Sequence, residues 1–300
     1  LKKGPTLFSQ KGIKMQEILE MLQDTAIDTI KLLPFLFITY LIMEYIEHKT
    51  SNKVKDVIKK SGKFGPLLGA IVGIFPQCGF SVSATNLYAG RVITLGTLIS
   101  VYLATSDEML PILLTEAVPA GTIFTILGIK LVLGIVAGFI IDFVIRMFRK
   151  EKVEEQEEKI EEICEHEHCH CEEGIVTSAI KHTLNITIFI FFITLVLNGI
   201  IAYIGEDTIA HFISKNVILG PIVAGLIGLI PNCASSVILT ELFISNVISM
   251  PVLISGVAVN AGVGLLVLFK TNKNVKENIK IVGILYLIGV LAGIILELFL

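Results

Sequence analysis

The sequence predicts an all-α polytopic membrane protein of about ten membrane segments, arranged as two inverted-topology repeats. Hydrophobic residues fill 53% of its 300 positions and charged residues only 17%, and the mean hydropathy is +0.80. Apolar stretches of about 20 residues, long enough to cross a hydrocarbon core of ~30 Å, recur along the chain. Two of them, within 65–100 and 220–255, carry matched Gly, Pro, Cys and Ser residues in register. Apolar composition alone does not produce such matches, so the chain contains an internal repeat.

The apolar runs divide the chain into four parts. Residues 1–26 are expected to form an amphipathic segment at the membrane interface, because residues 13–26 have helical apolar spacing. Residues 27–147 form the first membrane repeat, 148–181 form a charged loop outside the bilayer, and 182–300 form the second repeat. In order, the expected membrane segments are 27–47, 64–89, 92–114, 119–147, 182–204, 219–245, 247–269 and 281–299. Of these, 64–89 and 219–245 are each expected to fold as a re-entrant hairpin of two short helices, and short helices that cross the membrane fully are the alternative.

The distribution of lysine predicts that the two repeats have opposite orientations. Lys and Arg accumulate in cytoplasmic loops. Loop 48–63 has six lysines, whereas its counterpart 205–218 has one; loop 270–280 has four, whereas its counterpart near Glu116 has no Lys or Arg. We therefore expect 48–63, 148–181 and 270–280 to lie on the cytoplasmic side of the cytoplasmic membrane. Inverted repeats of this kind are typical of secondary transporters.

A proline tripeptide lies in the middle of one apolar run in each repeat. The tripeptides are Pro76-Gln77-Cys78 and Pro231-Asn232-Cys233. Proline removes a helical N–H and disfavours helix in the residue before it, so each tripeptide predicts a helix break at membrane depth. Such backbone is tolerated only where it lines a cavity or is buried in protein.

The same tripeptides predict a substrate site. Amide oxygens of Gln77 and Asn232 and the sulfur atoms of Cys78 and Cys233 are metal ligands of different softness. The alternative is a packing role, because proline kinks and small buried cysteines are common in membrane helices. Matching of both copies in register favours the site. The serines that follow each tripeptide are placed with it as supporting residues, and they are Ser81 and Ser236.

Several ionisable residues also occur in apolar runs. Asp107 and Glu108, in the stretch A-T-S-D-E-M-L-P, are costly in a membrane unless they are paired or hydrated. The matching stretch of the second repeat begins at Asn260 and is uncharged. Glu241 and Lys130 are also expected at depth, Lys130 as a structural counter-ion of one acid. If all four ionised groups share one cavity, three acids and one lysine sum to −2, which suits a divalent cation.

The charged loop carries a dense set of metal-binding residue types. Cysteine and histidine alternate with glutamate there, a mixed donor set for zinc-like or copper-like ions. Their spacing is too tight for a folded zinc finger, so a loose metal-collecting or sensing segment is expected, and a charged linker without a metal role is the alternative. The residues are Cys164, His166, His168, Cys169, His170 and Cys171.

Several functional classes are not supported by the sequence. It has no Walker-type phosphate-binding motif, no paired histidines in its spans and no basic domain. We therefore assign no catalytic residue, no enzyme activity, no tightly bound cofactor and no nucleic-acid partner. The expected partners are the lipid bilayer and a transported metal or metalloid, and a homo-oligomer stays open.

The two proline hairpins, G-P-L-L-G-A-I-V-G-I-F-P-Q-C and G-P-I-V-A-G-L-I-G-L-I-P-N-C, together with T-S-D-E-M-L-P and the His/Cys loop, resemble the ten-transmembrane heavy-metal exporters of bacteria and archaea. Members are labelled arsenic efflux proteins or manganese transporters. The resemblance covers roughly 25–299 and implies export of a metal or metalloid. Its motif residues fall here on Pro76, Gln77, Cys78, Ser106, Asp107, Glu108, Pro231, Asn232 and Cys233.

Together these features predict a secondary active transporter that exports a divalent cation of the Mn²⁺ or Zn²⁺ class, coupled to protons. Asp107 and Glu108 would be its charged ligands and proton carriers. Because the paired cysteines favour softer species, an arsenite or organoarsenical permease is the alternative. An ion channel or a membrane metal sensor stays open as a further alternative.

Overall fold

A computed structural model of the chain is helical in each membrane segment that it describes. Helical residues lie between 22 and 41, and eleven further helices follow in the described ranges. These ranges are 22–41 without 24, 28, 31–32, 35 and 39, then 64–148 without 77, 175–204 and 218–299. The eleven helices are α1 Gly65–Gly73, α2 Cys78–Ala89, α3 Leu95–Ala104, α4 Met109–Thr115, α5 Ala120–Phe148, α6 Ile175–Ile204, α7 Leu219–Gly228, α8 Cys233–Ile244, α9 Met250–Val259, α10 Gly264–Thr271 and α11 Val275–Phe299.

Each proline tripeptide lies between two short helices. The chain leaves helical geometry between Gly73 and Cys78, and again between Gly228 and Cys233. The four flanking helices have 9 to 12 residues. At 1.5 Å per residue they rise only ~14–18 Å, about half of a hydrocarbon core. None of the four can therefore cross a membrane alone.

The two outer ends of the first hairpin lie at the same end of α3. A β-carbon on Gly65 would collide with the Thr97 side chain at the start of α3, and one on Gly73 would lie 2.6 Å from the Val101 carbonyl oxygen, further along. Helix α1 therefore runs parallel to α3. Helix α2 returns in the opposite direction and reaches α3 through a tight turn, where Arg91 has a φ of 57°. Both outer ends of this hairpin thus lie beside the beginning of α3, as in a re-entrant hairpin.

A second break interrupts the long apolar segment of each half. Residues 105–108 separate α3 from α4, and residues 260–263 separate α9 from α10. Asp107 has a φ of 28°, and Gly262, 155 positions later (262 − 107), has a φ of 54°. A left-handed backbone costs a non-glycine residue roughly 1–2 kcal/mol. The first repeat has an aspartate at this left-handed position, where the second repeat has a glycine. Only the first break therefore carries a carboxylate there.

The helices repeat at the same offset as the sequence. Helices α2 and α8 both have 12 residues and begin 155 positions apart (233 − 78), and α3 and α9 both have 10 residues with the same displacement (250 − 95). Their packing repeats as well: Gly138 of α5 lies against Ser100, and its counterpart Gly293 of α11 lies against Ser255. The repeat seen in the sequence is therefore also a repeat of helices and of helix contacts.

Contacts between the two halves fix the relative directions of their helices. Thr85 Oγ1 donates to the carbonyl of Gly264 at the start of α10, whereas Arg91, just after α2, pairs with Glu277 beyond the end of α10. Helices α2 and α10 therefore run side by side in the same direction. Because α3 runs opposite to α2 while α10 continues α9, the α3–α4 and α9–α10 segments run in opposite directions.

The ion pair between the halves has two-point geometry. Arg91 Nη1 and Nη2 lie 2.9 and 3.1 Å from the two carboxylate oxygens of Glu277. The Tyr88 hydroxyl donates to the same carboxylate, and the Arg91 guanidinium lies over the Tyr88 ring at 5.3 Å from its centroid. Hydrogen bonding to Glu277 raises the pKa of Arg91 above its ordinary value, so this group stays cationic.

We expect a double-mutant cycle on this pair to give a coupling energy of about 1 kcal/mol, because both side chains are about a quarter exposed. The variants are Arg91→Gln, Glu277→Gln and their combination, compared by apparent melting temperature in detergent. Lys276→Gln is the matched control, since Lys276 is exposed on the same turn of α11. Additive effects of Arg91→Gln and Glu277→Gln, or an equal effect of Lys276→Gln, would show that the pair does not hold the halves together.

The prediction of an all-helical polytopic membrane protein is confirmed. Five segments of the described residues are long and apolar enough to cross a membrane. The predicted loops 48–63 and 148–181 lie mostly outside the described residues, as does most of the segment 1–26. The five segments are Leu95–Thr115, Ala120–Met147, Ala179–Val196, Met250–Thr271 and Val275–Phe299.

Candidate functional site

Asp107 is buried inside the helix bundle at the α3–α4 break, with 3% of its surface exposed. A buried carboxylate in a membrane protein costs several kcal/mol unless an opposite charge or water compensates it. Lys130, near the middle of α5, supplies such a charge, and its ammonium and the Asp107 carboxylate attract each other. The structure thus brings together two residues that the sequence placed 23 positions apart (130 − 107).

Lys130 is fully buried and also contacts the second half of the protein. Its Nζ donates to the carbonyl oxygen of Val257 in α9 at 2.6 Å. Val257 lies in the last turn of α9, where the final four carbonyls of a helix lack intrahelical partners. The ammonium therefore joins the acidic break of the first half to the carbonyl end of a half-length helix in the second.

Ser106 connects the first proline hairpin to the same break. Its hydroxyl donates to the carbonyl oxygen of Ile74 at 2.6 Å. Ile74 follows the last residue of α1 and precedes the proline tripeptide, so its carbonyl is one of those released by the break. The tip of the first hairpin and the Asp107 break are therefore in direct contact.

The second tripeptide lies against α2 and the α9–α10 break. Asn232 is buried and caps α8, since its Oδ1 accepts a hydrogen bond from the Ala234 amide at 3.3 Å. Cys233 is buried in an apolar cluster that also contains Val82 of α2 and Val263 of the break. With the Ser106 and Lys130 contacts, this cluster completes a chain of contacts through all four helix breaks.

Three of the supporting residues proposed from the sequence, Ser81, Ser236 and Asn260, are buried near the breaks. Ser81 lies beside Gly264, and the Ser236 hydroxyl donates to the Cys233 carbonyl at 2.8 Å. Asn260 Oδ1 accepts from the Gly262 amide at 2.8 Å, while its Nδ2 is buried without a hydrogen-bond partner among the described residues. A buried amide donor of this kind is suited to an oxygen atom of a substrate or of its bound water.

The three acids predicted at the site differ in their exposure. Glu241 is exposed on α8, and Glu108 is half-buried at the start of α4, whereas Asp107 is buried. The sum of −2, which assumed that three acids share one cavity, stays a prediction. The position of Glu241 near the middle of an apolar run does not show on which face of α8 it lies. At the break itself, Lys130 offsets the charge of Asp107.

Within the described part of the chain, no three His, Cys, Asp or Glu residues come close enough to form a metal site on their own. Gln77 lies outside the described residues, as does the whole His/Cys loop, and Cys78 begins α2. Pro76 is exposed at the hairpin tip, and Pro231 is half-buried. A metal at this site would therefore need amide, hydroxyl or carbonyl oxygens, or water, beside the Asp107 carboxylate.

Two polar contacts that were not predicted from the sequence also repeat between the halves. Asp142 of α5 is buried and accepts from the Thr94 hydroxyl at 2.7 Å and from the Gly96 amide at 2.9 Å. Its counterpart Glu297 accepts from the Ser249 hydroxyl at 2.6 Å. Each acid thus lies at the N-terminus of a half-length helix, where the helix dipole favours a negative charge. The sequence contained a signal for these contacts, because the two positions are related by the repeat and both are acidic.

Comparison with known families agrees with the helical membrane fold. A family described as "Putative, 10TM heavy-metal exporter" matches residues 15–202, which is more than half of the chain. No curated protein and no solved structure matches the chain. The matched range contains the first hairpin, the Asp107 break and Lys130. This chain therefore belongs to the family of ten-transmembrane heavy-metal exporters.

Proposed function

We propose that this protein is a secondary active transporter that exports a divalent metal cation of the Mn²⁺ or Zn²⁺ class from the cytoplasm across the cytoplasmic membrane. The observation that carries the proposal is the Asp107 carboxylate, which is buried at a helix break inside the bundle. Ionisable residues at such depth in membrane proteins mark ion pathways and substrate sites. Half-length helices that end at a midplane cavity are typical of secondary transporters.

The proposed transport cycle uses two inverted repeats that move against each other around the breaks. The opposite directions of the α3–α4 and α9–α10 segments support an inverted arrangement. The matched hairpins support it as well, since helix α2 of the first hairpin and Cys233 at the tip of the second both meet the opposite half. Lysine-rich loops 48–63 and 270–280 would then face the cytoplasm, together with 148–181. The His/Cys loop from Cys164 to Cys171 would collect metal there.

The proposed ligands are mainly oxygen donors. Asp107 would bind the cation directly, and Glu108, half-buried at the same break, would complete the negative charge and exchange protons with the transported ion. Asn232, Asn260 and Gln77 would supply amide groups to the ion or to its water. Carboxylate, carbonyl and water oxygens suit Mn²⁺, whereas sulfur ligands suit softer ions.

A second candidate function is export of arsenite or an organoarsenical. Cys233 favours it, because this buried thiol begins α8 directly at the second break, next to Asn232. A neutral trihydroxide of arsenic would need no net negative charge, which agrees with the compensation of Asp107 by Lys130. The Cys233→Ser variant separates the two functions, since it removes a soft ligand and keeps a small polar side chain.

The experiment is a substrate panel on the full-length protein in proteoliposomes. Mn²⁺, Zn²⁺, Cd²⁺ and arsenite are offered one at a time, with and without a pH gradient. We expect saturable uptake of a divalent cation that the gradient drives against its concentration, and little effect of Cys233→Ser. Transport of arsenite alone, lost in Cys233→Ser, would replace the cation by the metalloid. Ohmic currents would identify a channel, and a lack of any flux would favour a sensor.

A further inference from the structure

Lys130 is completely buried, donates a hydrogen bond to the second half of the protein and is attracted electrostatically by an acid of the first half. It lies in a helix segment that is long and apolar enough to span a membrane, Ala120–Met147. Its Nζ donates to the carbonyl oxygen of Val257 at 2.6 Å, and the Asp107 carboxylate attracts its ammonium electrostatically. Buried charges persist in such surroundings only where they are paired or serve a function.

The two partners of Lys130 together form a cation-binding position. A carboxylate from the first half and the carbonyl end of α9 from the second both attract positive charge, since the C-terminus of a helix is the negative end of its dipole. Half-helix C-termini and unwound carbonyls are the groups with which transporters bind cations. The Lys130 ammonium is bound at the carbonyl end of this position.

Packing does not require a lysine there. The equivalent position of the second half, 155 residues later (285 − 130), is Leu285, and it is fully buried as well. The equivalent of Asp107 is Gly262, and the equivalent of Val257 is Tyr102. The repeat thus builds the same helix contact with apolar and uncharged residues, so the lysine and the aspartate are specific additions to the first half.

We propose that the Lys130 ammonium is an internal cation that occupies the substrate position in the empty transporter, and that an incoming divalent cation binds by displacing it from Asp107. This inference rests on the proposed cation transport. Lys130 then neutralises Asp107 while the site is empty. The empty protein can therefore change conformation without an uncompensated charge in its interior. Lys130 also sets a threshold of affinity, because only a cation that outcompetes a tethered ammonium is bound.

Binding of Mn²⁺ and Zn²⁺ to purified full-length variants tests the inference. Lys130→Gln removes the competing charge, and we expect its Kd for the transported cation to fall about tenfold or more. Lys130→Arg keeps the charge, and its Kd should stay near that of the unaltered protein. The double variant Asp107→Asn/Lys130→Gln lacks both charges and should lose the gain.

The stability of Lys130→Gln provides a second readout. Removal of one partner leaves a buried unpaired charge and is strongly destabilising. If this variant does not fold without metal, the transported cation added during expression and purification should restore a folded protein, because the cation takes the place of the ammonium. A merely structural lysine would give an unstable variant that metal does not rescue.

The outcomes separate this inference from the proposed function. An unaltered protein that moves no divalent cation would overturn the proposed transport. Cation transport by the unaltered protein, with an unchanged or weaker Kd in folded Lys130→Gln or no rescue of an unfolded one, would overturn the role of Lys130 alone.

Discussion

Asp107→Asn is expected to lower divalent-cation transport by about 30-fold or more, because loss of one of two interacting buried charges costs roughly 2–5 kcal/mol and each 1.4 kcal/mol is a factor of ten. Asparagine keeps the size of the side chain and its ability to bind through oxygen. It removes only the charge that attracts the cation and holds Lys130. Initial rates of Mn²⁺ or Zn²⁺ uptake into proteoliposomes, normalised to the amount of folded protein, measure the effect.

Two acids of the same chain serve as controls for this variant. Glu116 is exposed beyond α4, and Glu241 is exposed on α8. We expect Glu116→Gln and Glu241→Gln to keep transport within about twofold, since surface substitutions usually have small effects. If Glu241→Gln abolishes transport while Asp107→Asn does not, the site lies on the surface of α8 and not at the α3–α4 break.

A folding defect must be distinguished from a transport defect in Asp107→Asn. The variant leaves Lys130 without its opposite charge, so its melting temperature should fall. The double variant Asp107→Asn/Lys130→Gln has no buried charge and should recover much of that stability without recovering transport. Recovery of both would show that Asp107 acts only through its pairing with Lys130.

The positions of the helix breaks could be predicted from the sequence because proline acts locally. Pro76 and Pro231 lack an N–H, and the helices around them end within three residues on the N-terminal side. The break at Asp107 had a weaker signal, two acids in an apolar run. The backbone at Asp107 is left-handed, as it is at the counterpart Gly262, which takes this conformation without strain.

The depth of single side chains could not be predicted, because it depends on which helix face meets a neighbour. Glu241 illustrates this: its position in an apolar run says that its helix is in the membrane but not that its face is inside. The contact between Lys130 and Val257 could not be predicted either, since it joins residues 127 positions apart. The repeat could have revealed Asp142 and Glu297, which are acids at matched positions.

Close helix packing is the part of the fold that glycine makes possible, and Gly138→Ala tests it. A β-carbon at Gly138 would lie 2.6 Å from the Gly96 carbonyl oxygen and 2.8 Å from Pro66 Cβ, besides colliding with the Ser100 hydroxyl. The carbonyl belongs to the backbone of α3 and cannot move aside cheaply. Overpacking of this kind costs about 1–3 kcal/mol, more than the ~1 kcal/mol that alanine gains over glycine in a helix.

We therefore expect Gly138→Ala to lower the apparent melting temperature in detergent by about 5 °C, at roughly 2–4 °C for each kcal/mol in a protein of this size. The matched control is Gly128→Ala on the same helix, where a β-carbon would meet no atom within 4 Å. That variant should be neutral or slightly more stable. Gly293→Ala, at the equivalent position of α11, should be intermediate, because its nearest backbone oxygen lies at 3.0 Å. Equal effects at Gly138 and Gly128 would mean that α3 and α5 do not pack as closely as their repeated contacts indicate.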